Sequence, residues 1–177
     1  MKFSNAISLS RILLLVGHTL THSFFPTWLN VAIVIFNYLL DAADGRISRK
    51  YGGTPYGEFM DISVDRVVTL GYFAFHTLKG RLHLTFFLLI LIRNVILDYV
   101  SYFNMIKATN QERHKMTSGL HYWVYSSQIS KIINGGLQLI ISAWGFVSPV
   151  PLALELLFLL NSYVRGFPTF KKMREIV

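Results

Sequence analysis

Cysteine is absent from this 177-residue chain. Disulfides, thiolate metal sites and cysteine nucleophiles are thereby excluded, and any metal must be held by oxygen or imidazole. Charge is scarce: 15% of residues carry it, against 53% that are hydrophobic. With a mean hydropathy of +0.44, the chain is too apolar for an ordinary water-soluble domain of its size. Tandem repeats, low-complexity tracts and linkers are also missing, so residues 1–177 read as a single integral membrane domain. Acidic residues are scarcer than basic ones, nine against 17 Lys and Arg, so their placement carries information.

What the chain has in abundance is long apolar sequence. A bilayer core asks for roughly 20 predominantly apolar residues per helix. Stretches of this kind run from Ile7 to Phe25, Pro26 to Asp41, Met60 to Leu78, Leu82 to Met105, Tyr125 to Phe146 and Pro149 to Phe167. The expected fold is all-α, a polytopic membrane protein of six transmembrane helices with a cytoplasm-facing active site. The first stretch lacks a small-residue cleavage site and is interrupted early by Ser10-Arg11, so it reads as a retained helix and not as a signal peptide. A net charge of +8 would suggest nucleic acid in a soluble protein; here its distribution sets orientation, and no nucleic-acid partner is expected. Lys2, Arg46, Arg49, Lys50, Lys107, Arg113, Lys115, Lys171, Lys172 and Arg174 fall on one side of the six-span topology, whereas Lys79 and Arg81 fall on the other. By the positive-inside rule the first side is the cytoplasm, with both termini on it.

Five of the nine acids lie between Asp41 and Asp65, four of them aspartates. Asp41 and Asp44 are three apart at the end of one expected helix, and Asp61 and Asp65 are four apart at the start of the next, so each pair shares a helix face. Gly45, Gly52, Gly53, Pro55 and Gly57 read as a tight turn that returns the second helix antiparallel to the first. Four carboxylates then face one small volume and repel one another unless neutralised, for which a hard divalent cation with oxygen ligands is the usual means. Mg²⁺ or Mn²⁺ fits, and an incompletely caged ion of that kind asks for a phosphate or diphosphate ligand. Helix capping or pairing with Arg46, Arg49 and Arg66 explains one or two of these aspartates but not four on facing helices.

At these residues the sequence resembles the CDP-alcohol phosphatidyltransferase family, whose signature is Asp-x-x-Asp-Gly-x-x-Ala-Arg, seven to nine residues, then Gly-x-x-x-Asp-x-x-x-Asp. Asp41, Asp44, Gly45, Arg49, Gly57, Asp61 and Asp65 fall in register, and Ser48 stands where the family usually has Ala. The opening Ser4-Asn5-Ala6-Ile7-Ser8-Leu9-Ser10-Arg11 and the stretch Ser130-Lys131 to Gln138 are most like the phosphatidylglycerophosphate synthases of that family. The resemblance implies attack of an alcohol hydroxyl on the β-phosphorus of CDP-diacylglycerol with release of CMP, and, as is typical of the family, a homodimer. It implies two ions, Mg²⁺ or Mn²⁺, on Asp41, Asp44, Asp61 and Asp65, with Asp65 also taking the acceptor's proton. Asp44, Gly45, Ser48, Arg49 and Gly57 would contact the CDP donor, and Arg11, Arg93 and Lys131 would meet the acceptor. Glycerol 3-phosphate is the preferred acceptor, with inositol phosphate, serine or another polar alcohol as alternatives.

Bland readings stand beside several of these residues. Arg93, with Asn94 and Asp98 in the fourth stretch, is equally readable as a buried ion-pairing group. The six histidines show no metal-ligand spacing and are assigned no chemistry. Trp28, Trp123 and Trp144 read as interfacial anchors. Gly71 and the Gly135-Gly136 pair read as sites of close helix packing. Two rival functions keep the cation site. A divalent-cation transporter would need carboxylates near the midplane and two related halves. An aspartate-rich prenyltransferase, suggested by Asn37-x-x-x-Asp41 and Asp61-x-x-x-Asp65, would need a longer chain.

Overall fold

In a computed structural model, residues 2–51, 55–107 and 128–173 are described, with side chains placed for 6–43, 63–97 and 129–166. Six α-helices account for nearly all of this: α1 (Lys2–Thr21), α2 (Thr27–Tyr51), α3 (Pro55–Leu78), α4 (Leu84–Lys107), α5 (Gln128–Val147) and α6 (Leu152–Met173). A short 3-10 turn, His22–Phe24, separates the first two.

The helices begin and end on local chemistry. Pro26 and Pro151 each lie just before a helix, where a missing N–H costs nothing, and their carbonyls accept from Leu29 and Asn30 and from Leu154 and Glu155. The end of α3 is closed by a Schellman arrangement: Arg81 N donates to His76 O at 2.9 Å and Gly80 N to Thr77 O at 2.9 Å. Gly80 sits at φ 65°, the left-handed region that a side chain would disfavour.

One boundary corrects the sequence reading. The aspartate-glycine segment does not end α2, because the helix runs through Gly45 to Tyr51. A single glycine costs a helix interior only about 1 kcal/mol, too little to outweigh the good helix formers that follow it. The connection therefore falls at 52–54, outside the described residues, and α3 starts at Pro55.

Residues 1–83 and 139–150 form one compact unit and residues 84–138 and 151–177 a second, so α5 contributes a half to each. In the first unit, contacts define the helix directions. As α1 advances from Arg11 to His18, its partners on α2 retreat from Asn37 to Asn30 while its partners on α3 advance from Asp65 to Tyr72. Thus α2 is antiparallel to α1, and α3 is parallel to it. Leu15, Val34, Val64, Val68, Tyr72 and Phe146 form the core between them. A Cβ on Gly71 would lie 2.5 Å from Leu15 Cδ2, so glycine is what lets α3 approach α1 there. Nothing among the described residues comes within 4 Å of such an atom at Gly135 or Gly136. In the second unit, α4 packs on α6 through Phe86 and Phe158 and through the Tyr163 hydroxyl, which donates to Leu89 O at 3.0 Å.

Burial is inverted relative to a water-soluble protein. Arg11, His18, Asn37, His76, Arg93 and Glu155 are buried, whereas Leu13, Leu20, Phe24, Trp28, Ile132 and Leu160 are widely exposed. Among the described residues, however, no helix is long and apolar enough to cross a membrane. Polar residues such as Arg93 and Asn94 in α4, and Lys131 and Asn134 in α5, interrupt the apolar stretches that the sequence offered as spans.

Candidate active site

Arg11 organises the site. Two turns into α1 and with its side chain 0% exposed, it places its guanidinium between α2 and α3. Nη1 donates to Asp41 Oδ1 at 2.6 Å and Nη2 to Asp65 Oδ1 at 2.9 Å. The two carboxylate side chains remain 36% and 43% exposed. A buried cation thus joins two partly open anions that are 24 residues apart in sequence.

Asn37 lies one helical turn before Asp41, on the same face of α2. Its Oδ1 accepts from Arg11 Nε at 3.4 Å, and its Nδ2 donates to the Arg11 carbonyl at 3.1 Å. The Tyr72 hydroxyl meets His18 Nδ1 at 3.3 Å. Nε2 of His18 bonds Asn30 Oδ1 at 2.9 Å, while Asn30 Nδ2 donates to the carbonyls of His22, Phe25 and Pro26 in the α1–α2 connection. One set of polar contacts thus ties the carboxylates to Arg11 and Asn37, and a second runs from Tyr72 through His18 and Asn30 to the far connection. Tyr38 flanks them, its hydroxyl sharing a 3.1 Å hydrogen bond with Ser142 Oγ of α5.

At that far end, His18, His22, Phe75 and His76 surround Phe146. His76 Nε2 bonds Ser142 O at 2.8 Å. Its ring lies against Gly145, where an added Cβ would fall 2.5 Å from it. Arg81 latches this end, donating from Nη1 to Gly145 O at 2.6 Å and accepting at its own carbonyl from Val150 N at 2.8 Å.

The structure brings together Asp41, Asp65 and Arg11, three of the residues singled out from the sequence. Of Asp44, Gly45, Ser48, Arg49, Gly57 and Asp61 only the helical backbone is described, and their side chains lie outside the described residues. Arg93 and Lys131 belong to the second unit. Arg93 is buried there, donating to Asn94 Oδ1 at 2.8 Å and to Ser162 O of α6 at 2.9 Å, and Lys131 is exposed. Arg11, which the resemblance places at the acceptor, has its guanidinium buried against Asp41 and Asp65. Sequence reasoning missed Asn37 as part of the site, although a polar residue one turn before Asp41 in an apolar run is a usable signal.

Among the described residues no group of three or more His, Asp or Glu side chains is placed to hold a metal ion. The described donor set does fit one: two carboxylates on neighbouring helices, all oxygen and partly open, match the preference of a hard divalent cation.

Neither a curated protein nor a solved structure gives a match to this sequence. A family model does, and it covers residues 1–161, a span that contains Arg11, Asn37, both carboxylates and every residue of the signature. Together with two signature aspartates converging across α2 and α3, that match means that the chain belongs to the CDP-alcohol phosphatidyltransferase family, membrane-bound transferases of phospholipid biosynthesis that generally depend on divalent metal.

Proposed function

We propose that this protein transfers a phosphatidyl group from CDP-diacylglycerol to glycerol 3-phosphate and releases CMP, as a phosphatidylglycerophosphate synthase does. The convergence of Asp41 and Asp65 on one buried guanidinium carries the reading, because it builds an anionic focus from exactly those helices that bear the signature. Asp41, Asp44, Asp61 and Asp65 are the residues to hold two divalent cations. When bound, such ions polarise the diphosphate and offset the charge that develops on the transferred and leaving groups.

The chain's own residues do the rest. Asp65 accepts the proton of the acceptor hydroxyl as its oxygen bonds to the β-phosphorus, and the bond to the bridging oxygen breaks with its electron pair leaving on CMP. A carboxylate is by itself a weak base for an alcohol, so cations held by these aspartates would have to supply most of the acidification that lets Asp65 take the proton. Gly45 and Gly57 let the backbone approach the nucleotide, Ser48 lies beside it, and Arg49 holds a donor phosphate oxygen. Lys131 and Arg93 are the acceptor-side candidates.

The helices are read as membrane-embedded, with termini and active site cytoplasmic. Support for embedding comes from the family and from apolar side chains exposed on helices that bury Arg11, Arg93 and Glu155, and support for the orientation from the distribution of Lys and Arg. Exposed Trp28 and Trp144 then serve as interfacial anchors.

The test is CMP release from CDP-diacylglycerol by detergent-purified protein with Mg²⁺ or Mn²⁺ across an acceptor panel. Release that requires glycerol 3-phosphate and vanishes with EDTA is expected. Release driven equally well by another alcohol replaces the acceptor, and none with any acceptor overturns the reaction.

A further inference from the structure

Arg11 is too deeply placed to greet a substrate. Its side chain is 0% exposed and its three guanidinium nitrogens point to three different residues, Asn37, Asp41 and Asp65. Asn37 is itself fully buried and bonded both to the guanidinium and to the Arg11 backbone, so the planar fork is fixed in orientation as well as in place. One oxygen of each aspartate is engaged by that fork, while more than a third of each carboxylate side chain stays accessible.

We propose that Arg11 is the positioning residue of this site: held by Asn37, it sets Asp41 on α2 and Asp65 on α3 in register with each other, and through them governs cation binding and turnover. The proposal rests on the phosphatidyl-transfer reading for its effect on turnover, but not for its effect on cation binding. It differs from two other roles that the same residue could fill. As a mere counter-charge, Arg11 would compete with a cation, and removing it would tighten binding. As an acceptor ligand, it would set the KM for glycerol 3-phosphate and leave Mn²⁺ binding alone.

Arg11→Lys keeps the charge and loses the fork. Mn²⁺ binding to the full-length detergent-purified protein, followed by the paramagnetic resonance of the free ion, is expected to weaken by about ten- to a hundredfold, the range for groups that orient metal ligands. The kcat for CMP release should fall by a similar factor, with the KM for glycerol 3-phosphate changed less than about threefold. Asn37→Ala should move both quantities in the same direction by a smaller factor, and it serves as the deciding variant if Arg11→Lys does not fold. Tighter or unchanged Mn²⁺ binding in the folded variant overturns the proposal, as does a raised KM at unchanged kcat. If the wild-type protein releases no CMP while Mn²⁺ binding still depends on Arg11, the reaction is wrong and the positioning role stands.

Discussion

The first unit buries polar groups at both of its ends, and the two ends are built differently. Around Arg11, the buried group is a full charge whose partners, Asp41 and Asp65, are themselves partly exposed. Around Phe146, the buried groups are imidazoles bonded to Asn30, Tyr72 and the Ser142 carbonyl, packed ring against ring and latched by Arg81. One end leaves charge exposed on its carboxylates; the other turns its imidazoles inward onto the protein, with His76 Nδ1 buried and without a hydrogen-bond partner among the described residues. Polarity in a helical interior is thus no guide to function until its accessible partners are counted, and this pair separates chemistry from cohesion.

That separation can be broken by mutation. The largest effect is expected from Asp65→Asn, which should lower CMP release by about a hundredfold or more, the scale of a lost proton acceptor, while thermal unfolding in detergent stays near wild type. Wild-type turnover by this variant would remove the carboxylate end from the chemistry. Next comes Arg11→Lys, with its loss of Mn²⁺ affinity. At the closed end, Gly145→Ala forces a Cβ to within 2.5 Å of the His76 ring. That ring is trapped between Phe146 and the Ser142 carbonyl, so overpacking should lower stability by about 1–3 kcal/mol. Turnover per folded molecule, measured well below the melting point, should stay within about twofold; a collapse as deep as that of Asp65→Asn would erase the distinction between the ends.

Two smaller changes sharpen it. Tyr72→Phe removes the hydroxyl that meets His18 Nδ1 at 3.3 Å, and should lower stability by about 1 kcal/mol with little change in kcat, since that bond belongs to the closed end. Lys79→Ala removes an ammonium 5.7 Å from the Phe75 ring centroid. At that exposed site the effect on unfolding should be about 0.5 kcal/mol or less, and CMP release should not change.

The signature was legible because its spacing is local: aspartates three or four apart must share a helix face whatever the rest of the chain does. The helical class was legible for the same reason, from length and apolarity. The partner of those aspartates was not. Arg11 reaches Asp41 and Asp65 across 30 and 54 residues, and no periodicity reports a contact at such range. Asn37 is visible at the right spacing, but Asn37-x-x-x-Asp41 also matches a prenyltransferase pattern and so does not by itself report a contact with Arg11. The histidines were screened for ligand spacing, whereas what unites His18 and His76 is burial against Phe146, a residue of a different helix. Glycine was misjudged in both directions: Gly45 looked like a turn and is helical, while Gly145, unremarked in the sequence, is where an imidazole ring sits tight on the backbone.

The first unit is assembled from two separated pieces of chain, residues 1–83 and 139–150, and this imposes an order in time. Every group of the carboxylate end, from Arg11 to Asp65, has been synthesised once α3 is complete at Leu78, whereas the Gly145 carbonyl and Phe146 that seal the histidine end are added 67 and 68 residues later. At translation rates of roughly 5–20 residues per second, that interval lasts several seconds. The three helices that carry the carboxylate end are thus complete before the segment that seals the histidine end exists, and the guanidinium that bridges the aspartates is the part of that assembly made first.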